Sequence, residues 1–150
     1  MANLASTYWN QGRWDAAEEL DVQVMETSKK KLGADHPDTL TSMANLASTC
    51  RNQGRWDAAE ELFVQVMETS KKKLGADHPD TLASMNNIAY TQRSLGREVE
   101  AISLMRECVQ LGQQKFRPNH PNLLSSSAAL AQWDAEHAVA NLDIVQLHAN

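Results

Sequence analysis

Met43-Ala44-Asn45-Leu46-Ala47-Ser48-Thr49 repeats Met1-Ala2-Asn3-Leu4-Ala5-Ser6-Thr7 at an offset of 42 residues. Carried along the chain at that offset, residues 1–42 and 43–84 differ only at Tyr8/Cys50, Trp9/Arg51, Asp21/Phe63 and Thr41/Ala83. A third copy starts at Met85 and keeps Asn87, Ala89, Gly96, Arg97, Ala101, Leu104, His120, Pro121 and Leu124 in register. The chain therefore divides into repeats at 1–42, 43–84 and 85–126 with a partial capping repeat at 127–150, all in one repeat domain, 1–150. A fixed period of this length marks an array of supersecondary units, each of which buries its apolar face only against its neighbours. The near-identity of the first two copies points to recent duplication or deliberate copying.

One repeat reads as two helices. His36-Pro37-Asp38-Thr39 and His78-Pro79-Asp80-Thr81 open a first helix, with Pro at its first position and a polar side chain before it to cap free N–H groups. Leu40, Met43, Ala44, Leu46, Ala47 and Cys50 follow at the spacing of one helical face. Asn52-Gln53-Gly54-Arg55 interrupts that face, and Gly54 suits a left-handed turn. Trp56 begins a second helix with Ala59, Leu62, Phe63, Val66 and Met67 on its stripe. Glu60 and Glu61 in its first turns and Lys71-Lys72-Lys73 in its last complement the helix dipole. The expected fold is all-α: antiparallel helix pairs stacked into a solenoid.

The spacing within the unit resembles the tetratricopeptide repeat. Leu46-Ala47, Cys50, Gly54, Trp56, Ala59, Phe63 and Val66 fall in that family's slots, and Tyr8 restores the aromatic that Cys50 lacks. Asp21 departs from the pattern, and the expectation is that its position is exposed in the first unit. The period exceeds the family's usual 34 residues by a stretch after the second helix. That long form is similar to the repeats of kinesin light chains and nephrocystin. The run Gly-Ala-Asp-His-Pro-Asp-Thr-Leu with Asn-Gln-Gly-Arg-Trp most resembles the C-terminal arrays of fungal NOD-like receptor proteins. The resemblance implies a right-handed α-solenoid and a non-enzymatic protein-interaction module, with first helices lining a concave, peptide-binding groove.

The candidate groove residues are Asn3, Trp9, Asn45, Ser48, Arg51, Asn52, Asn86, Asn87, Tyr90 and Arg93. Asn3, Asn45 and Asn87 match a slot that the family often fills with a peptide-reading Asn, since an amide both donates and accepts. A plainer alternative is that these Asn side chains tie neighbouring helices together. Arg51 and Arg93 would favour an acidic peptide or a C-terminal carboxylate through charge-assisted hydrogen bonds.

Composition excludes other classes. A net charge of −5 argues against nucleic acid as a partner, which requires a basic surface. No apolar run approaches the roughly 20 residues that span a bilayer, so no membrane partner is expected. Cys50 and Cys108 sit at non-equivalent repeat positions, which argues against a disulfide framework and for a cytoplasmic setting. His36, His78 and His120 recur with the repeat, but stacked units separate them by roughly 10 Å, too far to share a metal whose ligands lie within about 2.1 Å. No phosphate loop, nucleophile elbow or zinc-protease helix is present, so neither a cofactor nor a catalytic site is expected.

The ends read differently from the middle. Met1 aligns with Met43, so the first helix lacks its His-Pro lead-in and is short by about two turns. Past Leu130-Ala131 the Gly turn is missing, Ala138 standing in its slot. Either the helix runs on through Val139, Leu142 and Val145, or Trp133-Asp134-Ala135 opens a second helix; the echo of Trp56-Asp57-Ala58 favours the latter. Solenoid ends without polar caps expose apolar faces, so a homo-oligomer through the ends is the alternative function.

Overall fold

A computed structural model describes residues 2–148. Met1, the opening residue of the first repeat, and residues 149–150 of the partial repeat lie outside the described residues. Seven helices follow in order: α1 (Ala2–Asn10), α2 (Trp14–Leu32), α3 (Pro37–Asn52), α4 (Trp56–Leu74), α5 (Pro79–Ser94), α6 (Glu98–Lys115) and α7 (Pro121–His148). Each packs mainly on the helix before it and the helix after it, so the helices form a sequential stack.

The junctions explain the repetition. His36 Nδ1 accepts the Asp38 amide N–H, His78 Nδ1 that of Asp80 and His120 Nδ1 that of Asn122, each at 3.2–3.3 Å. The histidines are thus helix N-caps ahead of a proline. Within the same loops the Thr39 hydroxyl donates to the Gly33 carbonyl (2.7 Å) and that of Thr81 to Gly75 (2.8 Å). These bonds fasten the end of one unit to the start of the next. At the tight turn Gly54 has φ +78°, and Arg55 N–H reaches back to the Cys50 carbonyl (2.9 Å).

The core is divided among the helix interfaces. Small residues set the spacing: Ala5, Ala47 and Ala89 on first helices and Ala17, Ala59 and Ala101 on second helices are all buried. One cluster centres on Leu46, Cys50, Phe63 and Ile88, and the next on Ile102, Met105 and Trp133. A polar clasp joins successive units along the turn edge. The Glu18 carboxylate on α2 accepts from Gln53 (2.8 Å) and Arg55 (2.5 Å), and Glu60 on α4 likewise receives Gln92 (3.1 Å) and Arg97 (3.0 Å). Gln53 and Arg55 hold the Glu18 carboxyl below its usual range.

Two sequence expectations are corrected here. The helix of the partial repeat does not turn at Trp133; α7 continues unbroken to His148. Residues 122–148 contain neither Gly nor Pro to stop it. Trp133 stands in the slot of Thr49 and Thr91, only 2% exposed, and packs across α5 and α6 as a first-helix residue. Beyond it α7 leaves the stack: Val139, Leu142 and Val145 are exposed, Leu142 at 62%.

Asp21 is the second correction. It is buried, 8% exposed, at the slot filled by Phe63 and Met105 in the other two units. Stacking of α3 on α2 covers this position whatever residue occupies it.

Candidate functional site

The first helix of each unit presents one face to a run of recesses between successive units. Between α3 and α5, over the α4 residues Val66 and Ser70, lies one of about 720 Å³. Asn45 and Asn87 border it from opposite sides, so the structure brings these two repeated amides to one groove. Toward the Gly turn, Arg51 and Asn52 of α3 face Asn86, Asn87 and Tyr90 of α5 across a further recess of about 440 Å³. Between α1 and α3, Trp9, Asn45 and Ser48 line a third, about 330 Å³, with Asp21 in its wall.

Eight of the ten candidate residues line these recesses, Asn3 and Arg93 being the exceptions, and their chemistry sorts them. Asn45 is exposed and Asn87 half-buried; neither amide engages another side chain among the described residues. Asn86 does tie neighbouring helices: its Oδ1 accepts from the Ser126 hydroxyl of α7 (3.1 Å). Tyr90 stacks edge-on against Trp133, with ring centroids 4.9 Å apart. Asn3 is exposed on α1, where its backbone carbonyl takes the Thr7 hydroxyl (2.9 Å).

The two arginines differ. Arg93 lies over the Trp133 ring (4.9 Å to the centroid) and forms an ion pair with Glu136 on α7, a partner 43 residues away. Arg51 is half-buried over the Phe63 ring (5.8 Å) and has no hydrogen-bond or ion-pair partner among the described residues. Burial lowers its pKa, yet a guanidinium that starts so high remains charged. Of the two, Arg51 is the one with an open charge. Separately, burial pushes both thiols up, Cys108 to about 11, so Cys50 and Cys108 are inert core residues.

A family model of the tetratricopeptide repeat matches residues 1–72 and 43–114. The chain belongs to the tetratricopeptide repeat family. Domains of this family are in general protein-interaction modules and are typically non-catalytic. A kinesin light chain-like protein of Podospora anserina with nearly identical tetratricopeptide-like repeats is 32% identical, with a TM-score of 0.80 over 88% of this chain and 63% of that one. A single-residue variant of that protein superposes equally well, with 62% of its length covered. BtubC of P. vanneervenii, at 19% identity, TM-score 0.74 and coverage of 99% of this chain and 63% of that one, shares the tetratricopeptide fold. The chain thus spans about 63% of the length of these relatives. No curated protein matches it.

Sequence reasoning missed the Glu18 and Glu60 clasps and the partners of Arg93. Glutamates in the first turns of a helix satisfy the dipole rule, so nothing marked them as links to the next unit. Glu18 stands 37 residues before Arg55 and Glu60 stands 37 before Arg97, and that equal spacing was the available signal.

Proposed function

We propose that this chain is a non-enzymatic peptide-binding module in which an extended partner lies along the first helices and offers a carboxylate to Arg51. The observation that carries this reading is the guanidinium of Arg51, charged, half-buried and without an acidic partner among the described residues, at the mouth of a recess. Asn45 and Asn87 are placed to donate to and accept from the peptide main chain. A side-chain or C-terminal carboxylate would pair with Arg51 in the bidentate manner that guanidinium favours. Trp9, Ser48, Asn52, Asn86 and Tyr90 extend the contact surface, while Arg93 is occupied by Glu136.

The Gly75-to-Leu82 run and the Asn52-to-Trp56 turn support a place in the ligand-sensing or scaffolding part of a larger protein of the fungal NOD-like receptor kind. Two buried free thiols support a cytoplasmic setting. Titration of a dye-labelled Glu-rich octapeptide, read by fluorescence anisotropy, tests the groove. Affinity should fall at least about tenfold in Arg51→Ala and much less in Arg93→Ala; equal affinity in Arg51→Ala and wild type would overturn the reading.

A second reading, self-association through the end of the stack, is favoured by the exposed Val139, Leu142, Ile144, Val145 and Leu147 on α7. Sedimentation velocity across a concentration range tests it: Leu142→Glu should abolish any oligomer, and a wild-type monomer at high concentration would remove the reading.

A further inference from the structure

We propose that the recess between α1 and α3 takes a cationic side chain, lysine or arginine, of the partner peptide, held between the Asp21 carboxylate and the Trp9 ring. The peptide's course rests on the groove reading above; the preference for a cation rests on the recess alone.

The case begins with two slots that the first two units fill in opposite ways. In the second unit the outer slot holds Arg51 and the inner slot Phe63, a cation over a ring, 5.8 Å from its centroid. The Phe63 ring thus already faces a cation of its own unit. In the first unit the same slots hold Trp9 and Asp21. An aromatic face and a carboxylate both attract a cation, and here neither has one among the described residues. No described Lys, Arg or His lies within ion-pair distance of Asp21, and Arg13 of the same unit lies instead over the Tyr8 ring (4.3 Å).

The inner slot is also a costly place for an unpaired charge. Asp21 is 8% exposed, and its equivalents Phe63 and Met105 are fully buried and apolar. A desolvated carboxylate is retained most simply where a partner of opposite charge arrives. Its one described partner is the Thr49 hydroxyl, which donates to Oδ2 (2.7 Å). Burial raises the carboxyl's pKa, with Thr49 opposing the rise.

Shape agrees with charge. Where a ring fills the inner slot of α4, the shorter Asp21 lines a recess of about 330 Å³, which shares Asn45 with the larger one between α3 and α5. Trp9, 40% exposed and held T-shaped against Trp14 (5.4 Å), stands at its mouth, with Asn10, Asn45 and Ser48 around it. Their amide and hydroxyl oxygens can accept the remaining N–H donors of an ammonium or guanidinium group. A peptide spanning both units would then read basic at the first and acidic at the second.

Blocked pentapeptides Gly-Gly-X-Gly-Gly test this, with X arginine, its neutral isostere citrulline, or glutamate. Binding to the full chain is read from the Trp9 indole and Ser48 amide resonances in proton–nitrogen correlation spectra. The arginine peptide should give saturable shifts there, with citrulline at least about tenfold weaker. Asp21→Asn keeps an oxygen for the Thr49 hydroxyl and removes only the charge. It should weaken the arginine peptide at least about tenfold and leave the citrulline peptide unchanged. No shift with arginine, equal binding of arginine and citrulline, or an unaffected Asp21→Asn variant would overturn the proposal. The glutamate peptide, read at Arg51 and Asn87 in the same samples, reports on the groove reading separately. Its failure would sink that reading while the Trp9 signals still judge this one.

Discussion

The first two units are the same sequence but for four residues, and their second helices, turns and junctions coincide. Both second helices run 19 residues from Trp to Leu, both turns close on a left-handed Gly, and both loops are tied by His, Thr and Gly. Yet their interiors have opposite character. One unit buries a ring beneath a cation; the other buries a carboxylate in the wall of a recess that Trp9 also lines. Backbone geometry in a repeat is fixed by caps, turns and small residues at the close contacts, all of which the two units share. A pair of substitutions between those fixed points can therefore invert the chemistry of a recess and leave the scaffold as it was.

Forcing the second unit to resemble the first should have the largest effect. Phe63→Asp removes a fully buried ring from the cluster of Leu46, Cys50 and Ile88 and leaves a charge in its place. A loss of roughly 4 kcal/mol or more is expected from urea denaturation at neutral pH. The reverse exchange, Asp21→Phe, should stabilise by about 1–2 kcal/mol by filling the recess with buried apolar surface. It should also abolish arginine-peptide binding. A destabilised Asp21→Phe variant would show that the two slots are not equivalent in shape.

The pH dependence of Asp21 sharpens the same contrast. Burial raises its pKa in the folded state, so between the ordinary aspartate value of 3.8 and the raised one the folded chain binds more protons than the unfolded chain. The resulting stabilisation is full below 3.8 and is lost as pH rises through the folded value. Asp21→Asn should therefore match wild type in acid and become the more stable of the two as pH rises, in paired melts across pH. The smallest effect expected is at the clasps. Glu60→Gln and Glu18→Gln should each cost about 0.5–1 kcal/mol, the former more, since the Glu60 side chain is the less exposed of the two.

How far the sequence could be read depended on where a residue's partner lies. Helix starts at His36-Pro37 and His78-Pro79 and turns at Gly54 and Gly96 involve neighbours a few residues away, and all are where the pattern puts them. Trp133-Asp134-Ala135 echoes Trp56-Asp57-Ala58 but opens no helix, because no Gly or Pro stops α7 before it. Among the candidate groove residues, Asn45 and Asn87 line one recess and Arg51 and Asn86 another. What separated Arg51 from Arg93 was Glu136, which no local pattern connects to Arg93.

By itself, then, the sequence determined the array: the 42-residue period and the helix pair within it. Those follow from local sterics, capping and periodicity, whose range is a turn or two of chain. Only the tertiary structure decided that Asp21 is buried, that Trp133 belongs to a first helix, that Arg93 is engaged and that Arg51 is open. Burial and pairing in a stack are properties of the neighbouring unit, and that unit sits beside a residue in space while standing 28 to 43 positions from it in the chain.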